Sequence, residues 1–238
     1  MDYIEINLNI RLKQDIKYYN LPESLSRVIN NFFKYNDKLM KFHKINKVKL
    51  YSYSLLEPIE KDKLYKKGKL YSFKIRFLSR EILNDFYKSL IEMENTILSV
   101  VSRNFEVKTE TKKISYIESL TPAIISVPYS KPLCYIDRRA CNKGVLEKYL
   151  TSNAFRKYNV FKKVNRLTCD FIEDIEVINN KSIIFSYKGG VMIGNKFRIK
   201  IKEDDLSQEL ARMLISTGIG EKNTLSYGFC NPIYKEEA

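Results

Sequence analysis

From Tyr3 to Leu12, the apolar residues Ile4, Ile6, Leu8, Ile10 and Leu12 alternate with Glu5, Asn7, Asn9 and Arg11. Successive strand side chains point to opposite faces, so this run fits a half-buried strand that needs a covering layer on its apolar side. A helix-start signal follows at Asn20, Pro22 and Glu23, and Leu25, Val28, Ile29, Phe32, Phe33, Leu39 and Met40 recur mostly at three- and four-residue spacing. That periodicity predicts one helix from about residue 22 to about residue 43. Strands are expected over residues 48–55 and 70–78, then a short helix over 81–91 and a strand over 96–108. The order β-α-β-β-α-β is the ferredoxin-like pattern, an antiparallel sheet with both helices on one face.

Pro122, Pro128 and Pro132 place half of the six prolines within eleven residues, which marks a stretch running between modules. The expected boundary lies near residue 130, giving domains of residues 1–130 and 131–238. The second half predicts a helix over 143–158, strands over 171–178, 182–187 and 196–202, a helix over 204–216 and a last strand over 224–233. Asn179-Asn180 and Gly189-Gly190 read as hairpin turns. With residues 123–127 as its opening strand, this half repeats the order of the first. The expected fold class is α+β: two tandem ferredoxin-like (βαββαβ, RRM-like) domains with antiparallel sheets.

Lys and Arg number 42 against 28 Asp and Glu, a formal charge of +14. Such a field favours a polyanion through phosphate contacts and counterion release, which makes nucleic acid the leading partner, although charge alone also fits a lysine-solubilised surface. No apolar run approaches the ~18 residues that span a bilayer. No basic amphipathic helix suits a membrane surface, and the acidic start Met1-Asp2-Tyr3-Ile4-Glu5 lacks signal-peptide character. The expectation is a cytoplasmic protein with no membrane partner. Cys134, Cys141, Cys169 and Cys230 form no Cys-x-x-Cys pair, and the single histidine cannot complete an ordinary Cys/His zinc set. The cysteines therefore read as reduced structural thiols, and no cofactor or metal site is expected, although counting leaves a carboxylate magnesium site open.

Gly218, Gly220 and Gly228 fall in the stretch Gly-Ile-Gly-Glu-Lys-Asn-Thr-Leu-Ser-Tyr-Gly-Phe, directly after an amphipathic helix bearing Leu206, Leu210, Met213 and Leu214. Such a loop lets backbone N–H groups approach phosphates, and Lys222 adds charge. The simpler alternative makes Gly218 a helix cap and Gly220 a turn residue, with no ligand. A dinucleotide fingerprint does not fit, because the third glycine is missing and the stretch follows a helix instead of opening one. No Gly-Lys-Ser/Thr sequence occurs, so it is not a P-loop.

The segment from Lys196 through Phe229, a strand, a helix and then the glycine stretch, resembles the C-terminal signature of the CRISPR repeat-processing endoribonucleases, the sixth Cas protein family of the RAMP superfamily. Gly218, Gly220 and Gly228 stand where that family's glycines stand. Ser226 replaces a further one, which predicts a different backbone path at the end of the loop. The likeness includes Lys49-Leu50-Tyr51-Ser52-Tyr53-Ser54 and Leu120-Thr121-Pro122-Ala123-Ile124-Ile125. It implies two ferredoxin-like folds that hold RNA across their cleft and basic faces, with CRISPR repeat RNA and its crRNA product as partners. It leaves open whether the chain works as a monomer, as a homodimer or docked on a CRISPR effector complex.

His43 closes the first expected helix, amid Lys41, Lys44, Lys47 and Lys49. A lone histidine at a helix C-terminus also fits a capping role favoured by the dipole. The family resemblance implies general acid-base catalysis by His43, with Lys49 six residues on as its partner. Metal-free RNA cleavage requires deprotonation of a 2′-hydroxyl, stabilisation of phosphorane charge and protonation of the 5′-oxygen, tasks that suit a histidine with an ordinary pKa of ~6.5 and a lysine. The implied products are a 2′,3′-cyclic phosphate and a 5′-hydroxyl. Where some members carry a tyrosine this chain has Asn30, and Tyr35 is the nearest helical substitute. Candidate RNA-binding residues are Gly218, Gly220, Lys222, Asn223, Gly228 and Lys47, together with Lys196, Arg198 and Lys200 on one strand face; an ordinary solvated sheet face is the alternative for the last three. The competing functions are a guide-RNA-holding subunit that does not cut and a general RNA-binding protein with an incidental histidine.

Overall fold

The computed structural model describes residues 1–45, 48–126, 132–133 and 142–235. Its first part contains β1 (Asp2–Leu12), β2 (Ile16–Lys17), α1 (Leu21–Phe32), α2 (Asp37–Lys44), β3 (Tyr51–Tyr53), β4 (Leu64–Tyr65), β5 (Leu70–Phe77), α3 (Leu83–Glu92) and β6 (Leu98–Thr109). The sheet order β3-β5-β1-β6 is antiparallel throughout, with Ile6 opposite both Ile75 and Phe105. Ile4, Ile6, Leu8 and Ile10 are buried on one face, as the alternation demands, against Leu25, Val28, Ile29 and Phe32 of α1 and Phe86 and Leu90 of α3.

The single long helix expected up to residue 43 is two helices. Asn36 breaks it: its side chain accepts the Leu39 N–H at 2.9 Å and caps a second, eight-residue helix. An Asn-Asp pair is a helix start in its own right, and an apolar repeat that continues past it hides the break. The strand expected over 48–55 shrinks to Tyr51–Tyr53.

The second part contains β7 (Ile114–Ser119), β8 (Ile125–Ser126), β9 (Pro132–Leu133), α4 (Lys143–Lys162), β10 (Ile172–Val177), β11 (Ile183–Tyr187), β12 (Gly190–Gly194), β13 (Phe197–Ile201), α5 (Asp205–Thr217) and β14 (Cys230–Tyr234). Its sheet order, β10-β13-β7-β14, repeats the first topology, so the molecule is two ferredoxin-like units in tandem. The opening strand is β7, not residues 123–127. The chain therefore passes between sheets at residues 110–113, upstream of both the proline-rich stretch and the expected boundary near 130. A register irregularity between Ile233 and Tyr234 leaves the buried Ile114 and Ile117 three residues apart, which conceals β7 from a period-two reading. β11 and β12 form an extra hairpin outside the sheet, turned at Lys188-Gly189. The last strand is shorter than expected because Ser226 and Gly228, both at positive φ, curl residues 224–229 into a loop.

Arg76 of β5 joins the units. Buried, it pairs with Glu5 at 2.7 Å and donates to the carbonyls of Ile215 (3.0 Å) and Cys230 (2.6 Å) and to Asn231 Oδ1 (2.8 Å). Burial alone would raise the Glu5 carboxyl, but Arg76 and Lys74 outweigh it and hold it below its ordinary value. The Arg76 bonds to Ile215, Cys230 and Asn231 cross from the first sheet to the second unit, and leaving this buried charge without its Glu5 partner would cost about 3–5 kcal/mol. No helix among the described residues is long and apolar enough to cross a membrane.

Candidate active site

A cleft of about 1280 Å³ opens between the units, with the end of α2 on one side and the glycine loop and α4 on the other. His43 is half-buried, its ring stacked on Phe33 with centroids 5.4 Å apart. Burial, and after it the charge of Lys49, hold the imidazole below its usual range. Lys49 precedes β3 and turns back to the end of α2, donating to the carbonyls of Phe42 and Ile45 (2.7 Å to the latter) with its ammonium over the Phe42 ring. Those carbonyls are orphaned by the helix end, so Lys49 acts as a cationic cap where the dipole is negative. Burial lowers its pKa as well. Asn30 also lines the cleft.

Tyr35 does not reach it. The break in the helix places Tyr35 in the α1–α2 loop, where its hydroxyl donates to Glu92 Oε2 at 2.7 Å and its pKa is raised by that bond. Lys47 lies outside the described residues.

The glycine loop is built against the motifs that resemble the same family. Leu120–Ile125 runs beneath it: Ile124 O accepts the Glu221 N–H (2.9 Å), Pro122 O accepts the Gly228 N–H (2.9 Å) and Thr121 Oγ1 accepts the Phe229 N–H (2.9 Å). From the β3 motif, Ser52 Oγ donates to Ser216 O (2.8 Å) and the Tyr53 hydroxyl to Thr224 O (2.9 Å). Three short stretches far apart in sequence thus form one object.

This assembly gives the glycines a structural role of their own. A Cβ at Gly220 would lie 2.6 Å from Ile124 O, and one at Gly228 would run into Ile219 O. The missing side chains make room for the protein's own backbone, at positive φ values of 65° and 69°. Asn223 is buried, its amide donating to Ile219 O and Tyr227 O at 2.9 Å each. Ser226 adopts φ +66°, a left-handed conformation that glycine favours. The exposed rim of the loop is carried by Lys222.

The sequence reading missed the far wall. Arg156 and Lys163 of α4 and its cap, and Lys188 at the hairpin tip, line the same cleft. Neither Arg156, Lys163 nor Lys222 has a salt bridge to a described carboxylate, so their charge is available to phosphates. In contrast, Lys196, Arg198 and Lys200 lie outside the cleft; Arg198 is held by Glu118 (2.6 Å) and Lys200 by Glu173 (2.7 Å), which neutralises the strand face expected to be cationic. Arg156 sits on a helix whose face toward the first unit only the tertiary fold defines, so nothing in its spacing could have singled it out.

The fold and the site together define a protein of two ferredoxin-like units facing one cationic cleft. Residues 104–232, more than half of the chain, match the C-terminal region of the CRISPR associated protein Cas6. The chain belongs to the Cas6 family, the endoribonucleases that process CRISPR repeat RNA. Among solved structures it is similar to a CRISPR associated protein Cas6 (19% identity, 97% of this chain and 99% of that one, TM-score 0.68). It is also similar to a RAMP protein described as binding different RNA substrates (16%, 97% and 99%, TM-score 0.72) and to the product of a Cas6-related gene from Pyrococcus furiosus (18%, 98% and 99%, TM-score 0.69). At these identities the likeness speaks to the fold. No curated protein sequence matches the chain.

Proposed function

We propose that this chain cuts precursor CRISPR RNA within its repeats without a metal ion, by attack of a 2′-hydroxyl on the adjacent phosphate. The observation that supports this reading best is the meeting, in one cleft, of a half-buried histidine, the lysine beside it and an opposing wall of uncommitted cations. His43, neutral at pH 7 because its pKa lies below the usual range, takes the 2′-hydroxyl proton as the 2′-oxygen bonds to phosphorus. The bond from phosphorus to the 5′-oxygen breaks, and the imidazolium returns the proton to that oxygen. Two ammonium protons of Lys49 are engaged by helix carbonyls, which leaves the third for a phosphate oxygen that gains charge in the transition state. The products are a 2′,3′-cyclic phosphate and a 5′-hydroxyl.

The test is single-turnover cleavage of cognate repeat RNA in excess EDTA, with analysis of the product ends. Persistence of cleavage and a cyclic phosphate are expected; strict dependence on magnesium, or a 3′-hydroxyl, overturns the mechanism. Tight binding without any cutting would instead favour a role in holding guide RNA. The rate should rise with pH as His43 loses its proton, with the midpoint of the rise below the ordinary imidazole value of ~6.5.

A further inference from the structure

Lys157 stands out among the residues that the proposed chemistry leaves unused. It is 3% exposed, on the buried face of α4 beside Leu150, Ala154 and Tyr158, and it borders the cleft. Its ammonium donates to the carbonyls of Gly218 (2.6 Å) and Gly220 (3.0 Å) and forms no salt bridge with a described carboxylate. A buried cation held only by neutral carbonyls is an expensive way to fill a helix–loop contact, since an apolar residue of similar size would pack there without the desolvation cost. The same carbonyls belong to the loop whose rim carries Lys222.

We propose that Lys157 is a positioning residue for RNA: it fastens the glycine loop through two carbonyls and keeps a positive charge behind the rim, so that a phosphate at the rim and the buried ammonium stabilise one another. This rests on the cleft being the RNA site. The charged and titratable groups facing Lys157 are Arg156 on its own helix, Glu221 in the loop and the buried Cys230 thiol on β14. His43 and Lys49 border the same cleft from the first unit. Burial pushes Lys157 down to about 7, against a smaller opposing pull from Cys230. The Cys230 thiol itself is pushed up to about 12 and stays neutral. An incoming phosphate favours the ammonium, so binding takes up a proton, and affinity is greatest below pH 7 and falls as pH rises.

The experiment measures the Kd of a repeat RNA carrying a 2′-deoxy scissile nucleotide, which blocks cutting, at fixed salt from pH 6.5 to 8.5. The unaltered protein should lose affinity by up to about tenfold across each pH unit above 7. His43 and Lys49 are common to all the proteins compared, so their titration does not distinguish the Lys157 variants from the unaltered protein. Lys157→Met should bind roughly tenfold more weakly at pH 6.5 and show no such slope. Lys157→Arg, charged at every pH, should bind tightly without it. A flat Kd for the unaltered protein, or an unchanged slope in Lys157→Met, overturns the proposal; the first result needs no variant to fold. Absence of RNA binding at every pH would overturn the reading of the cleft itself, whereas tight binding with a flat Kd removes only Lys157's part.

Discussion

The glycine loop and the α2 end form opposite walls of one cleft, yet they are held by different means. In the loop, the N–H groups of Gly218, Ile219, Glu221 and Gly228 all donate to protein carbonyls, Asn223 bridges two more, and Lys157 holds a further two. On the α2 side, His43 rests on one aromatic stack, and Lys49 reaches two carbonyls at the end of a two-turn helix. The loop has little freedom left, and its shape is a consequence of folding. The histidine wall is lightly built, so its side chains can be changed without disturbing the core. Substitutions in the loop should therefore be read first as stability changes, and those at His43 first as changes in chemistry.

The sharpest way to break this contrast is Gly228→Ala. Its Cβ would run into the Ile219 carbonyl at a positive φ, and the loss should reach about 4 kcal/mol, read as a shift in denaturant midpoint. A midpoint like that of the parent would mean that the loop yields easily, and the distinction between the walls would go with it. Next comes His43→Ala, which should slow single-turnover cleavage by roughly 10²-fold or more, about 2.7 kcal/mol of barrier, with RNA affinity and melting temperature nearly unchanged. Full activity would return His43 to a helix-capping role. Lys49→Ala should slow cleavage less, and because it also removes the cap on α2, melting should fall slightly where His43→Ala leaves it alone.

Smaller effects refine the picture. Lys222→Ala removes an exposed cation from the rim without touching the loop's internal bonds, so stability should hold while the salt dependence of RNA binding flattens by about one phosphate contact. An unchanged salt slope would show that RNA does not approach the rim. Tyr35→Phe is the mildest: with the hydroxyl directed to Glu92, cleavage rates should stay within about twofold of the parent. A large rate loss there would mean that RNA binding remakes the α1–α2 loop.

Much of the fold was legible in the order of apolar patterns. β1, β5 and α5 announce themselves because each buries one regular face, and regularity is what a single sequence displays. β7 was missed because a register irregularity spoils its alternation, and the helix break at Asn36 was missed because the apolar repeat runs across it. The domain boundary was drawn at a proline cluster, whereas the sheets change hands at residues 110–113.

By itself the sequence determined the doubled ferredoxin-like order and the cationic character, which depend on local pattern and composition. The two places around which the cleft is formed, His43 and the glycine stretch, were singled out by resemblance to a known family, since spacing alone fits a helix cap and a turn equally well. Only the tertiary structure decided that the loop's glycines serve close contacts with Ile124 and Ile219, that Tyr35 turns away, that Arg198 and Lys200 are neutralised by Glu118 and Glu173, and that Arg156 and Lys157 face the site. The physical reason is common to all four: what a charge or a missing side chain does depends on which atoms stand opposite it, and those atoms come from segments up to a hundred residues away, brought there by packing that no local spacing encodes.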